Sequence, residues 1–341
     1  MLRLVGAELH RFRLRILFWV AGVAVVGFVG VFLFQAYAQA RPATAAQRAE
    51  AQVYYQDNLE QWEQYRSSGQ AEKDVADCQE MEARDQQDDP TVDYGCEDMI
   101  WAEPTLEDYL PYRSTYAQEA PGMVGNDAIL LLLISLVVGV SFITAEISTG
   151  ALGNWLSFEP RRTRVYLSKA VALATGVAVV SAVSLAVLGL GVRLVFAAFG
   201  RLGEAADAHR ALVEATQTSG RVVLAAVAFA LVGYALGVVV RHAAIAVGVL
   251  LVYLAAAEGV LRAAFPAVQR WLASTNVLAW VQGEYTYSVN ACERDLTTGY
   301  LNCDQWVEHT IYQRAGGWYL LAGTVVVLAV AWAVFRRRDV S

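Results

Sequence analysis

Six stretches of the chain are long, apolar and almost free of charge: 16–40, 128–145, 170–192, 222–240, 243–265 and 315–335. The fifth is interrupted only by Glu258 and Arg262. A hydrocarbon core of about 30 Å is crossed by roughly 20 helical residues, so each run predicts a spanning helix. None shows the strict alternation of a membrane strand, which argues against a barrel. The first run admits a second reading. Ala38-Gln39-Ala40 resembles a small-x-small cleavage site after a basic start. A signal peptide has an apolar core of about 7–15 residues, shorter than this run, so a retained span is expected.

The segments between the runs differ in character. Residues 1–15 read as a short amphipathic helix at the membrane surface. Residues 41–127 are polar and acidic. Within them, 44–66 carries Val53, Leu59, Trp62 and Tyr65 at helical steps, and 104–112 reads as a short helix opened by Pro104-Thr105. The candidate core of this insertion is thin (Trp62, Met99, Ile100, Trp101, Leu106, Leu110). Residues 146–169 form the long loop between spans two and three, and 193–221 read as an amphipathic cap. Residues 266–290 hold Trp271, Leu272, Val277, Leu278, Trp280 and Val281 but are broken by Ser274, Thr275, Asn276 and Gly283. That suits short helices at the interface, where Trp is favoured. Residues 291–314 read as a polar, cysteine-bearing loop, and 336–341 as a tail. The expected fold is an all-α membrane protein with six spans, an α-rich insertion after span one, and broken interfacial helices between spans five and six.

Composition agrees. Of 341 residues 56% are hydrophobic and 17% charged, against roughly 25% charged in a soluble protein. The net charge of −7 is unevenly spread. Residues 41–127 hold 20 acids and 6 bases; everything else holds 13 acids and 20 bases. Twelve bases fall in the 47 residues of 1–15, 146–169, 241–242 and 336–341, and the other 14 are scattered. By the positive-inside tendency these four segments are expected in the cytoplasm, with both termini. The bases form no patch on a soluble domain, so nucleic-acid binding is not indicated. The acidic insertion reads as a solvated outer surface, with a cation or a basic partner protein as the functional alternative.

All four cysteines, Cys78, Cys96, Cys292 and Cys303, fall in segments expected outside. An even set on the oxidising side suggests two disulfides. Three connectivities exist; Cys78–Cys96 and Cys292–Cys303 close the shortest loops. No CxxC pair occurs and the four histidines are scattered, so zinc is not expected. Glu258 lies among apolar residues, where a charge is costly and often functional. Arg262 is four residues on and is its expected partner, with both reaching to the outer surface. Gly233 and Gly237 form a GxxxG that permits close helix approach, within the chain or at a dimer seam.

Three segments together resemble the permease subunits of type-2 ABC exporters. The first is Leu4-Val-Gly-Ala-Glu8-Leu-His-Arg11-Phe-Arg13-Leu-Arg15, like the family's interfacial connecting helix. The second is Glu146-Ile-Ser-Thr-Gly150-Ala-Leu-Gly-Asn-Trp155-Leu-Ser-Phe-Glu-Pro160-Arg-Arg-Thr-Arg164, followed by Lys169. Family members have Glu, Gly four later, an apolar turn, Pro with a basic cluster, and Lys opening span three; Ala151 stands where Thr is common. The third is 220–283: an Arg-led span, the turn at Arg241-His242, a span with Glu258, then broken helices. The resemblance covers the membrane part and leaves the large insertion unexplained.

The resemblance implies a subunit that exports substrate using a separate ATPase. Leu152, Trp155, Leu156 and Phe158 would fill a groove on that ATPase. Arg161, Arg162 and Arg164 would pair with its acids or with lipid phosphates, although ordinary membrane anchoring explains arginines equally well. Glu146, Gly150 and Pro160 complete the expected coupling loop. The implied partners are ABC ATPase subunits, a second permease chain (identical or not), membrane lipids and an outer partner protein, in a bacterial plasma membrane. No GxxxxGK[ST], HExxH or GxSxG occurs. This chain is therefore expected to hold no cofactor and no catalytic residues, with ATP and magnesium on the ATPase. The few polar positions in the spans (Ser141, Thr144, Thr175, Ser181, Ser184) suggest an amphiphilic or lipid-like cargo. The alternative is a receptor or assembly scaffold that binds a partner through 41–127.

Overall fold

A computed structural model describes residues 2–14, 16–87, 89–294 and 301–337. The chain divides into two compact units, Gln39–Ser114 and the remainder. In the larger unit the apolar runs lie within long helices. These are α2 (Ile16–Ala40), α5 (Tyr116–Ser148), α7 (Arg162–Ala198), α8 (Ala205–Val240), α9 (Ala243–Tyr253) with its continuation, and α12 (Gln313–Arg337). Among the described residues, six helices are long and apolar enough to cross a membrane. The protein is a multi-pass membrane protein.

Helices α5 and α8 form the centre. Their approach is set by glycines: a Cβ on Gly139 would collide with the Ala230 carbonyl, and one on Gly233 with that of Leu136. A Cβ on Gly237 would meet Ile143 and the Val140 carbonyl. The GxxxG thus joins two spans of one chain, which is the ordinary use of small residues between membrane helices. By contrast α2 and α9 bury little. Among the described side chains of α2 a stripe including Val25, Val29, Phe32 and Ala36 is buried, while Trp19, Val23, Val26 and Phe34 are open. The segment 193–221 is no separate cap. It is the end of α7, a turn, and the first turns of α8, with Tyr116 N–H donating to the Arg201 carbonyl at 2.9 Å.

Side-chain bonds define the two ends of this unit. At one end α1 (Leu2–Leu14), the start of α7 and the finish of α8 and α12 meet. Arg162 donates to the Arg336 carbonyl (3.3 Å), Trp332 Nε1 to Thr163 Oγ1 (3.3 Å) and Tyr234 Oη to the Tyr166 carbonyl (3.1 Å). At the other end α11 (Ala273–Gln282) packs on α12, where Gly316 and Gly317 leave room for Asn276 and Trp280. Trp280 Nε1 donates to the Arg221 carbonyl (2.9 Å) and Tyr319 Oη to that of Trp271 (2.7 Å).

The fifth span is broken as it nears that second end. It passes from α9 through a π-helical stretch, Leu254–Leu261, to α10 (Arg262–Ala264), then a 3₁₀ turn, Pro266–Trp271, and α11. The chain then departs from the all-helical expectation. Strands β1 (Glu284–Arg294) and β2 (Leu301–Tyr312) pair antiparallel, with Glu284 opposite Tyr312 and Ser288 opposite Glu308. Tyr285, Tyr287 and Val289, and opposite them Val307 and Ile311, supply β-forming side chains at alternate positions. The expectation of interfacial helices over 266–290 thus fails from Glu284 on, and that of a loop over 291–314 fails at β2, because the alternation is interleaved with Thr286, Ser288, Glu308 and Thr310. Thr286 and Thr310 share a cross-strand hydroxyl bond of 3.0 Å.

The smaller unit holds α3 (Ala45–Ser67) and α4 (Gln70–Asp85). Thr44 starts α3 with a capping box: its hydroxyl accepts from Gln47 N–H, and Gln47 accepts from Thr44 N–H. Trp62 Nε1 donates to the Trp101 carbonyl at 2.9 Å, and Trp101 packs 5.4 Å from the Tyr65 ring. The disulfide Cys78–Cys96 pins α4 to a 3₁₀ turn, Cys96–Met99. Arg113 ties the unit's two ends by donating to the Ala40 carbonyl (2.8 Å).

Candidate functional site

The most unusual chemistry lies at the end where α1 meets α7. Lys169 is one of only two lysines in the chain. It sits two turns into α7, is 1% exposed, and reaches two carboxylates. Its Nζ is 2.8 Å from Glu8 Oε1 on α1 and 2.5 Å from Glu146 Oε2 near the end of α5. Glu8 is 0% exposed and Glu146 5%. An ammonium and two carboxylates removed from water carry a large desolvation penalty, offset only by close pairing. Glu8 Oε2 has no hydrogen bond among the described residues.

Aromatic rings close over this cluster. Lys169 Nζ lies 5.8 Å from the centre of the Phe142 ring. Tyr234 is fully buried on α8, its ring 5.2 Å from that of Tyr166, and Tyr166 Oη donates to the Leu328 carbonyl at 2.9 Å. The ion cluster is thus seated in a frame joining α1, α5, α7, α8 and α12.

Beside the cluster the chain turns sharply. Gly150 has φ 69°, a left-handed conformation that glycine adopts without strain, and it redirects α5 into α6 (Ala151–Phe158). Leu152 is 1% exposed and packs within this chain, so it does not contribute to an outward surface. Trp155 and Leu156 are half-buried, and the Arg11 guanidinium lies 4.5 Å over the Trp155 ring. Phe158 points out, 86% exposed. Pro160, Arg161 and Arg164 are also exposed, while Arg162 bonds to the end of α12. Of the residues expected to meet a partner, the geometry brings Phe158, Pro160, Arg161 and Arg164 to one exposed tip. Glu146 is instead buried in the ion cluster.

Glu258 has a different role from the ion pair with Arg262. Its carboxylate accepts from Ser274 N–H (3.0 Å), Ser274 Oγ (2.5 Å) and Tyr253 Oη (3.0 Å). It thereby caps the first turn of α11, whose own preceding residue, Leu272, has no side-chain oxygen to do so. Arg262 bonds Ser274 Oγ (3.5 Å) and Tyr285 Oη (3.0 Å), so the two charges meet through Ser274.

Cys78 and Cys96 are bonded. Cys292 and Cys303 belong to β1 and β2, and their expected pairing lies outside the described side chains. No group of His, Cys, Asp and Glu able to hold a metal occurs among the described residues. Glu8, Tyr166 and Tyr234 are the site residues that sequence patterns did not single out. The available signal was Lys169 itself, since a lone lysine opening a span needs a buried acid nearby.

Compared with known proteins, the chain matches no family model, and no curated protein is significantly similar to it.

Proposed function

We propose that the chain is the membrane permease subunit of an ATP-driven exporter, with its termini in the cytoplasm and a separate ATPase docking on the tip of α6. The observation that carries this reading is the buried Glu8–Lys169–Glu146 cluster directly behind that tip. Coupling a soluble motor to a membrane pathway needs a stiff element. It must expose a contact surface at one end and be fastened to several spans at the other. Phe158 with Arg161 and Arg164 offers such a surface, and the ion cluster fastens α1, α5 and α7 together just above it. The concentration of bases at the same end favours the cytoplasmic orientation.

An amphiphilic cargo fits the polar groups of the spans. Thr144 Oγ1 donates to the Val140 carbonyl (2.9 Å), Thr175 Oγ1 to Val171 (2.9 Å) and Ser184 Oγ to Ser181 (2.9 Å). Hydroxyls turned onto their own helices leave the span surfaces apolar. The test is co-purification and reconstitution. An ATPase subunit should co-purify with the wild-type chain, and a lipid or other amphiphile should stimulate ATP hydrolysis. Phe158→Asp should abolish recruitment without changing the melting temperature. A folded chain that recruits no ATPase, or whose Phe158→Asp form recruits it undiminished, refutes the reading and favours a scaffold role.

A further inference from the structure

Where α1 ends and α2 begins, a cleft of about 520 Å³ opens against α5 and the turn into α6. Its walls are apolar: Phe18, Val138, Phe142 and Ala145 among them. Leu14 and Ile16 border it and are 70% and 83% exposed. The cationic group that lines it is Arg11, which is exposed and held 4.5 Å over the Trp155 ring. Trp155 Nε1 is buried and has no acceptor among the described residues. Glu146 also lines the cleft, but its carboxylate is buried and turned to Lys169, which leaves Arg11 as the exposed charge at the rim.

We propose that this cleft is a binding site for one anionic phospholipid of the surrounding bilayer. Three observations converge on that occupant. An amphipathic helix followed at once by a span puts the cleft at the boundary between headgroups and hydrocarbon. The volume lies within the range of a ligand pocket, roughly 300–1,000 Å³, and suits part of an acyl chain rather than a soluble ion. A guanidinium at the rim, fixed by an aromatic ring, is a preferred partner for a phosphate. The phosphate sits at Arg11 and the acyl chain runs over Phe18 and Phe142. The site stands whether or not the chain is an exporter, because it depends only on the membrane depth of α1 and on the cleft.

Native mass spectrometry of the full chain released from nanodiscs tests this, with phosphatidylglycerol and phosphatidylcholine as probes. The wild type should retain one phosphatidylglycerol under activation that strips phosphatidylcholine. Arg11→Ala should lower that retention about tenfold, the equivalent of about 1.4 kcal/mol. Ala145→Phe should fill the cleft and abolish it. Arg270→Ala removes a similar arginine held over a ring, 5.0 Å from Trp271, and should change nothing. Glycerol phosphate added in excess should not displace the lipid, since it lacks the chain. The proposal falls if both lipids are retained alike, if Arg11→Ala retains phosphatidylglycerol as well as the wild type, if Arg270→Ala loses it equally, or if glycerol phosphate displaces it. Arg11 is exposed, so its alanine variant folds and keeps the test decisive even where Ala145→Phe does not.

Discussion

Lys169 Nζ and Glu8 Oε1 lie 2.8 Å apart although 161 residues separate them in sequence. The contact fastens a surface helix to the start of a span, with both groups out of reach of water. Such a pair does not by itself add much stability, because its attraction is spent against desolvation. Its effect is to make other arrangements of α1 expensive, since any displacement strands a charge.

The consequence is an asymmetry between variants. Lys169→Met leaves two buried carboxylates with no cation and should destabilise by about 3–5 kcal/mol, the usual penalty of breaking a buried pair. Glu8→Gln leaves Lys169 still bound to Glu146 and should cost less. The triple variant Glu8→Gln, Glu146→Gln, Lys169→Met removes every charge and should recover much of the loss. Thermal unfolding in detergent ranks the three. If Lys169→Met melts like the wild type, the cluster does not hold the helices.

The approach of α5 and α8 gives a second prediction. At Gly139 an added Cβ meets the Ala230 carbonyl, which is backbone and has no room to yield. Gly139→Leu should therefore force the helices apart, costing about 1–3 kcal/mol or more, as overpacking does. A Cβ on Gly189 would meet no atom of another helix within 4 Å, and Gly189→Leu should be tolerated. Unfolding midpoints of the two variants in the same detergent decide the matter.

How far the chain was legible from its pattern depends on which interaction sets each feature. Apolar runs identify spans because the bilayer requires them, and the runs do fall inside long helices. Helix ends are set otherwise. Helix α5 begins at Tyr116, well before its apolar run, because Thr115 and Gln118 form a capping box there. The hairpin was hidden because the alternation of Tyr285, Tyr287 and Val289 is masked by polar neighbours that suit an exposed strand. At the candidate site Glu146 was visible and Glu8 was not. A glutamate in a basic amphipathic helix reads as surface, and only tertiary packing brings it to Lys169. The partner of Glu258 was misjudged for a similar reason. Arg262 is the neighbour along the helix, but the chain folds back and offers Ser274 first.

That fold-back is itself testable. Glu258 accepts from the N–H and hydroxyl of Ser274 at the half-buried start of α11. Glu258→Ala should fray this turn, and loss of a helix cap costs typically about 1 kcal/mol. Glu258→Gln keeps an oxygen acceptor and should lose less. Hydrogen exchange measured over 272–278 should speed up in the alanine variant. Unchanged protection there would show that the cap is supplied by something else.

The disulfide offers a local test in the other unit. Cys78 and Cys96 are 18 residues apart, and closing a loop of that size contributes roughly 3 kcal/mol in the chain-entropy account. The core around Trp62 and Trp101 is small, so Cys78→Ser with Cys96→Ser should open 39–114 to protease. The helices of the larger unit have their own core and should stay protected. Cleavage spreading into α5 or α8 would contradict the division into two units.

Acid should loosen this same insertion in a predictable direction. Asp108 accepts from Thr105 N–H (2.7 Å) and Thr105 Oγ1 (2.8 Å), and chiefly the backbone bond holds its carboxyl below the usual range. Asp89 is lowered in the same way by Thr91 N–H and hydroxyl. A carboxyl whose pKa is lower folded than unfolded binds fewer protons in the folded state. Its contribution is complete above the unfolded value, about 3.9 for Asp, and is lost as pH falls through the depressed folded value. Tyr94 works in the opposite sense. Its hydroxyl donates to Asp85 at 2.5 Å, which raises its pKa, so its contribution is present below the unfolded value and disappears in alkali as pH rises through the folded one. Carbon-detected carboxyl NMR of aspartate-labelled protein in micelles should show the Asp108 and Asp89 resonances titrating below the ordinary aspartate value. Asp108→Asn should identify its resonance by removing it, and Thr105→Val should move that resonance up toward the ordinary value. If Thr105→Val leaves every titration in place, the capping box is not what holds Asp108 ionised.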